Sequence, residues 1–314
     1  MNLKKKELAK IARLYDLGKI KGVKPIPGGM INYNSTAKTD KGEFIIRKLG
    51  YKLNSWWMNK KELEFEVMEY LHKRNFPYSI PRFIKNKYGN YISNVKGNLF
   101  EVYERIPGRK IIRLNDGQFK EMVKALAIYH KIIKEYPIKK KFKVVDNHKW
   151  ILDKYALMRK AKPRNKVDIL MHKHLDFFEN LLKKLLKFDL SYESLVAHSD
   201  FSVYNLLWKE NALIGILDFE NVGYKPRVFD IAYIWNDIHR KKILVNTYRK
   251  YNVLSKREEK NIIICRLLNS CNMFWWSYLG MEKRPELKYQ WLLRTIKNGN
   301  KYLRMWKIGE GEKR

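Results

Sequence analysis

Two short stretches decide the fold of this chain: Val-Ala-His-Ser-Asp-Phe-Ser-Val-Tyr-Asn at 196–205 and Ile-Leu-Asp-Phe-Glu at 216–220. The residues between them form two apolar runs, which the polar turn Lys-Glu-Asn at 209–211 separates. Two apolar runs joined by a short polar turn predict a β-hairpin, whose first and last residues lie side by side. We therefore expect Asn205, which enters the hairpin, to lie beside Asp218, which leaves it.

Three oxygen-bearing side chains in these stretches suit the transfer of a phosphoryl group. The amide oxygen of Asn205 and the carboxylate of Asp218 are hard ligands of the kind that Mg²⁺ prefers. Asp200 lies a few residues before Asn205, and a carboxylate there can accept a proton from a hydroxyl group. Transfer from ATP needs both functions. The sequence therefore predicts Asn205 and Asp218 as metal ligands and Asp200 as the catalytic base.

The order of these residues resembles a known group of kinases. His198, Asp200 and Asn205 have the spacing of the kinase catalytic loop, and Asp218 stands where a kinase has its later metal-binding aspartate. Together with Phe-Asp-Ile-Ala at 229–232, they resemble the aminoglycoside phosphotransferase and choline kinase superfamily, which includes homoserine-type kinases. The resemblance implies a protein-kinase-like α+β fold with two lobes, and ATP and Mg²⁺ as cofactors.

The resemblance also divides the chain into two parts. Residues 1–104 are expected to form a small β-rich lobe that binds the nucleotide. Residues 105–314 are expected to form a larger, mainly helical lobe that carries the catalytic and substrate-binding residues. The residue patterns agree, since strand and turn signals alternate in the first part and helical spacing of apolar residues dominates the second.

Four residues of the first lobe are expected to meet the phosphates of ATP. Gly28 and Gly29 form a turn at which backbone N–H groups can approach phosphate oxygens, and Asn32 follows closely. Arg47 stands where the family carries a lysine or an arginine that reaches the phosphates. A guanidinium group keeps that charge and can hold phosphate with two hydrogen bonds.

A glutamate of the following helix is expected to orient Arg47. Glu64 lies seven residues before Leu71, which matches the spacing in the family, and Glu66 is the second candidate. A glutamate that is not used in this way would belong to a solvated helix face. The resemblance further implies that backbone groups near Glu101 to Tyr103 hold the adenine.

The resemblance gives supporting roles to other residues around the catalytic loop. His198, although it belongs to the catalytic motif, is expected to brace the loop by hydrogen bonding rather than to touch the substrate. Asp230 is expected to support the same loop, and His130 to be a structural histidine beneath it. Ser199 stands where many relatives have glycine, so its backbone is more restricted there.

The composition describes a large and strongly basic protein. The chain has 314 residues, of which 45% are hydrophobic, and its formal net charge is +34. Such a charge attracts anions, including ATP, nucleic acids and acidic membranes. Because the lysines and arginines are spread along the chain and no nucleic-acid motif accompanies them, we expect a solvated basic surface.

Other features bear on the cellular compartment. Cys265 and Cys271 are six residues apart in a helical pattern, too far along one axis to form a disulfide. The first residues lack the apolar core of a signal peptide, and polar residues interrupt the most apolar stretch, 262–281. We therefore expect a cytoplasmic protein without a transmembrane segment.

The sequence predicts an ATP-dependent kinase that transfers the γ-phosphoryl group to a hydroxyl of a small molecule, such as an amino alcohol, a sugar or a homoserine-like metabolite. Aminoglycosides are polycations and suit so basic a chain poorly. The alternatives are an inactive kinase-like binding protein and a basic protein that docks on RNA or an anionic membrane. The presence of Asp200, Asn205 and Asp218 together favours the enzyme.

Overall fold

The structure is a computed structural model that describes residues 5–27, 31–51, 54–137, 148–235, 237–282 and 284–311. The chain divides into two compact units. The first unit contains Met1–Arg113 together with Val203–Asn221, and the second contains Leu114–Ser202 and Val222–Arg314. The hairpin between the two deciding stretches therefore belongs to the first unit. The assignment of nucleotide binding to 1–104 and of catalysis to 105–314 stays a prediction.

The described residues form nine strands and nine α-helices. The strands are β1 (Ile20–Ile26), β2 (Tyr33–Thr39), β3 (Glu43–Lys48), β4 (Ile92–Val95), β5 (Asn98–Glu104), β6 (Ser194–Ala197), β7 (Leu206–Lys209), β8 (Ala212–Ile216) and β9 (Gly223–Pro226). The helices are α1 (Lys5–Leu14), α2 (Ser55–Lys73), α3 (Asp116–Ile133), α4 (Trp150–Arg159), α5 (Lys166–Leu185), α6 (Val228–Ile234), α7 (Lys241–Tyr251), α8 (Lys256–Trp275) and α9 (Pro285–Gly311).

The first unit is built on an antiparallel sheet in the order β1-β2-β3-β5-β4. Helix α1 packs on this sheet through Ile11, which is buried together with Tyr15, the residue after the helix, and Phe100 of β5. The Tyr15 hydroxyl donates a hydrogen bond to the backbone oxygen of Phe100 at 2.9 Å. Helix α2 begins at Asn54, whose side chain accepts the backbone N–H of Trp57.

The predicted hairpin is confirmed. Strands β7 and β8 pair antiparallel, with Leu206 opposite Ile216. At the turn Glu210 adopts a left-handed backbone conformation with φ of 55°. At the open end the backbone N–H of Leu217 donates to the oxygen of Asn205 at 2.8 Å. The backbone of Asn205 is thus tied to the residue that precedes Asp218.

In the second unit, the described residues form helices and a short ribbon in which β6 pairs antiparallel with β9. Asn115 caps α3, and Gln118 completes a reciprocal capping box with it. A similar box of Ser255 and Glu258 starts α8. A loop predicted from the lysine run at 139–143 lies outside the described residues.

Cys265 and Cys271 are both buried in α8 and unlinked, as the sequence predicted. Over the described ranges, no helix is long and apolar enough to span a bilayer.

Candidate active site

The loop that follows β6 is held by one buried carboxylate. The Asp230 side chain accepts the backbone N–H of His198 at 2.7 Å and that of Ser199 at 2.8 Å. These bonds support Ser199, which adopts φ of 69°, a region that non-glycine residues enter at a cost. The expected supporting role of Asp230 is confirmed.

A fully buried histidine keeps Asp230 in its ionised form. The Nε2 atom of His130 lies 3.1 Å from Asp230, and its Nδ1 atom lies 2.9 Å from the hydroxyl of Tyr248. Burial acts to raise the pKa of Asp230, but the hydrogen bond with His130 and the nearby charge of Lys225 outweigh it and lower the pKa. Burial also lowers the pKa of His130, so the hydrogen bond rather than a positive charge on this histidine is the effect that matters. The sequence prediction that His130 is structural is confirmed.

His198 is also fully buried, and its position explains its role. Its Nδ1 atom accepts the backbone N–H of Asp200 at 3.3 Å, and its ring meets the edge of Phe201 with centroids 5.4 Å apart. A side chain without exposed surface cannot touch a substrate directly. His198 therefore braces the loop, and it does not belong among the catalytic residues in the strict sense.

Asp200 is half-buried, and a tyrosine holds its side chain. The hydroxyl of Tyr233 donates to Oδ1 of Asp200 at 2.7 Å. Lys225 of β9 is near enough to interact electrostatically with both Asp200 and Asp230, and burial lowers the pKa of this lysine. Sequence reasoning missed Tyr233, although its position three residues after Asp230 on α6 was a usable signal, because such residues share a helix face.

Arg47 lies in a buried cluster of charges in the first unit. Its Nη1 atom is 3.2 Å from Oε1 of Glu101, and its Nη2 atom donates to the hydroxyl of Tyr103 at 3.2 Å. Glu101 lies directly opposite Arg47 in the pairing of β3 with β5, so both side chains project from the same face. A strand carboxylate, Glu101, therefore forms an ion pair with Arg47. Glu64 also interacts with Arg47 electrostatically, and the expected pairing of Arg47 with a helix glutamate stays a prediction.

Glu64 has a different partner, which the sequence analysis missed. The ammonium group of Lys61 lies 2.7 Å from Glu64 and 2.9 Å from Glu101, and its side chain is only 2% exposed. Lys61 lies three residues before Glu64 on α2 and joins its apolar, buried face. A lysine and a glutamate three residues apart within a helical stripe whose other members are apolar were the signal that could have found it.

The backbone of the predicted adenine-binding strand is engaged within the sheet. The residues of β5 pair with β3 on one side, and Glu101 pairs with Ile92 of β4 on the other. Beyond β4, the N–H of Ile84 donates to Val102 at 2.9 Å and that of Glu104 donates to Arg82 at 3.3 Å. The backbone oxygen of Val102 and the backbone N–H of Glu104 thus have partners in the protein, and the expected role of backbone groups near Glu101 to Tyr103 with adenine stays a prediction.

The Asn32 side chain forms hydrogen bonds with two segments of the first unit. Its amide nitrogen donates to Oε2 of Glu220 at 2.6 Å, and its amide oxygen accepts the N–H of Gly50 at 3.1 Å. Gly50 is required there, because a Cβ atom would lie 1.8 Å from the backbone oxygen of Ile31. The Asn32 side chain, which was expected to meet the nucleotide, therefore links the segments that contain Gly50 and Glu220. Gly28 and Gly29, the other expected phosphate contacts, lie outside the described residues.

Among the residues that the structure describes, carboxylates outnumber cations around Arg47. The interacting carboxylates are Glu64, Glu101, Asp218 and Glu220, and the cations are Arg47 and Lys61. Burial acts to lower the pKa of Arg47, yet the neighbouring negative charges raise it well above its usual value. Burial and the charge of Asp218 likewise raise the pKa of Glu220. This surplus of negative charge would favour a bound cation.

The donor set at the hairpin fits a magnesium ion in particular. Asn205 is buried and Asp218 half-buried, and both offer oxygen ligands. Over the described residues, no group of three or more His, Cys, Asp and Glu side chains could hold a metal by itself. Mg²⁺ commonly uses one or two protein oxygens and completes its shell with water and phosphate oxygens. The residues present therefore fit the ion that the sequence implied.

Two curated relatives illustrate how the similarity is distributed. An aminoglycoside 3'-phosphotransferase of Escherichia coli is 46% identical over 55 residues, which is 18% of this chain and 20% of that protein. This chain is thus matched to about a fifth of that relative's length. A homoserine kinase of Rhodopseudomonas palustris (strain BisA53) is 21% identical over 288 residues, which is 85% of each chain.

Solved structures resemble the chain over nearly its whole length. An amicoumacin kinase, in complex with AMP-PNP, Ca²⁺ and amicoumacin, has a TM-score of 0.68 at 18% identity, with 96% of this chain and 94% of that chain covered. This likeness confirms the kinase-like α+β fold. The family model of the "Phosphotransferase enzyme family" matches residues 22–252, which is more than half of the chain. The protein therefore belongs to this family of phosphotransferases, within the superfamily that its catalytic-loop motif indicated.

Proposed function

We propose that the protein is an ATP-dependent kinase that phosphorylates a hydroxyl group of a small molecule. The observation that carries the proposal is the base of the hairpin, where a backbone hydrogen bond joins Asn205 to Leu217, the residue that directly precedes Asp218. Membership of the phosphotransferase family supports the reaction class. Asp200, on a loop fixed by Asp230, is the base that the reaction requires.

In this proposal each residue has one task. Asn205 and Asp218 would hold Mg²⁺, and the ion would supply positive charge that offsets the negative charge of the phosphates. Arg47 adds fixed positive charge for the phosphates, within the limits that Glu101 and Tyr103 set on its orientation. Asp200 accepts the proton of the acceptor hydroxyl. As that proton leaves, the hydroxyl oxygen bonds to the γ-phosphorus and the bond from that phosphorus to ADP breaks.

The acceptor class follows from the relatives and the charge. Relatives that align over most of this chain are homoserine kinases, and the matching kinase structure contains amicoumacin. A chain with a net charge of +34 attracts anionic or zwitterionic compounds more strongly than polycations. We therefore favour a homoserine-like amino acid, which is zwitterionic, over an aminoglycoside. An amino alcohol, which carries a single positive charge, and a sugar are further candidates.

A screen of acceptors tests this function. The purified protein is incubated with Mg²⁺ and ATP, and with L-homoserine, choline, ethanolamine, glucose or kanamycin in separate reactions. Mass spectrometry should find ADP and an acceptor that has gained one phosphoryl group. The same reactions with excess EDTA should form neither product, since Mg²⁺ is needed for the transfer. If no acceptor is phosphorylated and no ADP forms above a boiled control, the proposed function is wrong.

A further inference from the structure

We propose that Tyr233 is a positioning residue for the transfer, because its hydroxyl group fixes the orientation of the Asp200 carboxylate. The inference rests on the proposed function and deepens it, since it names a residue outside the catalytic motif. Tyr233 does not touch the phosphates or the acceptor in this account. It acts through Asp200.

The first support is the direct hydrogen bond. The Tyr233 hydroxyl lies 2.7 Å from Oδ1 of Asp200, a length typical of a bond to an ionised oxygen. The tyrosine must be the donor, because burial and the neighbouring Asp200 charge raise the pKa of Tyr233 and keep its proton in place. The bond holds Oδ1 of the Asp200 carboxylate and restricts the rotation of that group. A general base needs a fixed orientation of this kind toward the hydroxyl group.

The second support is the helix on which Tyr233 lies. Helix α6 spans Val228–Ile234 and carries Asp230 one turn before Tyr233. Asp230 binds the backbone N–H groups of His198 and Ser199, and Tyr233 binds the side chain of Asp200. One short helix thus fixes both the backbone of the loop and the side chain that the loop presents. The spacing of three residues makes this possible.

The third support is the packing behind Tyr233. Arg266 of α8 donates from Nη1 to the backbone oxygen of Tyr233 at 2.8 Å, and its guanidinium carbon lies 5.8 Å from the centre of the Tyr233 ring. Nη2 of Arg266 donates to the hydroxyl of Tyr302 on α9 at 2.7 Å. Helices α8 and α9 therefore hold the residue that holds Asp200. Because these contacts already order Tyr233 in the folded protein, little further conformational entropy is lost when the base is aligned for the reaction.

Charged groups also surround this contact on several elements. Lys225 approaches Asp200 from β9, and Arg266 and Arg294 interact with Tyr233 from α8 and α9. These charges act electrostatically, whereas the Tyr233 hydroxyl binds Oδ1 of Asp200 through a directional hydrogen bond, which favours one carboxylate rotamer.

The substitution Tyr233→Phe tests the inference, because it removes one oxygen atom and keeps the ring. We expect kcat to fall about 10-fold to 100-fold, the range expected when a catalytic group is misaligned by about 1 Å or less. The Kd of Mg-ATP, measured by calorimetry, should change less than about 2-fold, since the nucleotide does not meet Tyr233. Turnover is measured with the acceptor that the wild-type enzyme phosphorylates fastest.

Tyr155→Phe is the matched control. The Tyr155 hydroxyl also makes one hydrogen bond of 2.7 Å, but its acceptor is the backbone oxygen of Cys271, within a buried helical core. Both variants lose a hydrogen bond, so the midpoint temperature of thermal unfolding should fall by a similar amount in each. Only Tyr233→Phe should lose kcat. If the two variants turn over equally, the positioning role is wrong.

A double-mutant cycle separates positioning from a general effect on the fold. In the Asp200→Asn background, Tyr233→Phe should lower kcat less than about 2-fold, because residues that act as a unit are strongly non-additive. An undiminished loss in that background would overturn the inference. If the wild-type enzyme itself transfers no phosphoryl group, the proposed function fails instead. The two failures are therefore distinct.

Discussion

At the scale of single residues, the catalytic loop depends on an unusual backbone conformation. Ser199 adopts φ of 69°, and its N–H points at the carboxylate of Asp230, 2.8 Å away. A left-handed conformation at a non-glycine residue persists only where its surroundings impose it. The loop therefore uses strain, offset by Asp230, to present the next residue, Asp200.

This strain predicts a strong dependence on the side chain at 199. Ser199→Val should lower the free energy of unfolding by about 1 to 3 kcal/mol, because a β-branched residue fits this backbone region poorly. Ser199→Gly should leave that free energy unchanged or slightly higher, since glycine enters the region without a steric penalty. Urea denaturation followed by circular dichroism measures both. Equal stability of the two variants would contradict the assigned strain.

Residue spacing predicted part of the site and missed the rest for a physical reason. His198, Asp200, Asn205 and Asp218 lie within one short stretch, so local spacing was enough to select them. Tyr233 and Lys61 act through helix faces directed at other segments. A single sequence shows which residues share one face of a helix. It does not show which other segment of the chain packs against that face.

At the scale of secondary-structure elements, the ion pairs of the first unit connect α2, β3 and β5. The carboxylate of Glu101 in β5 forms ion pairs with Arg47 of β3 and with Lys61 of α2. The strands were predictable because their alternating burial is local. Their order was not, because β3 and β5 are adjacent in the sheet although α2 and β4 separate them in the chain. That long-range pairing is what gives Arg47 a strand glutamate as its partner.

The cluster predicts a pH dependence that Glu64 controls. Burial raises the pKa of Glu64 to about 7, from an ordinary value of 4.5, although Lys61 opposes the shift. The folded state thus binds this proton more tightly than the unfolded state does. The corresponding stabilisation is complete below about pH 4.5 and is lost as the pH rises through about 7.

Glu64→Gln isolates this contribution, because glutamine resembles the neutral acid at every pH. At pH 5 the variant and the wild type should have similar free energies of unfolding. At pH 8 the variant should have gained stability relative to the wild type, since it has no carboxyl group to ionise. Denaturation curves at the two pH values, with Glu62→Gln on the same helix as the control, provide the measurement. A constant difference between variant and wild type across this range would contradict the prediction.

At the scale of the whole molecule, the global charge and the local charge have opposite signs. The chain carries 66 lysines and arginines against 32 acidic residues. Around Arg47, however, carboxylates are in the majority. A basic surface raises the local concentration of an anionic nucleotide, whereas a local surplus of carboxylates favours the metal that accompanies it. The strong positive charge thus fits a nucleotide-using enzyme without requiring RNA or a membrane as a partner.

The fold of the whole chain was more predictable than its acceptor. Strand and helix patterns, together with one catalytic-loop motif, were sufficient to predict a kinase-like α+β fold, which the likeness to solved structures confirms. The acceptor depends on which side chains line its binding pocket, and residues that line one pocket come from distant parts of a chain. Local pattern carries no information about such a combination.

The most direct test of the central claim is the turnover number of Asp200→Asn, measured with Mg-ATP and the best acceptor of the wild-type enzyme. The account predicts that kcat falls by at least about 100-fold, because the acceptor hydroxyl loses its base, while the Kd of Mg-ATP stays within about 2-fold. Asp176→Asn, an exposed aspartate of α5 that pairs with Arg159, should retain full turnover. Wild-type turnover in Asp200→Asn would contradict the claim that this carboxylate accepts the proton during phosphoryl transfer.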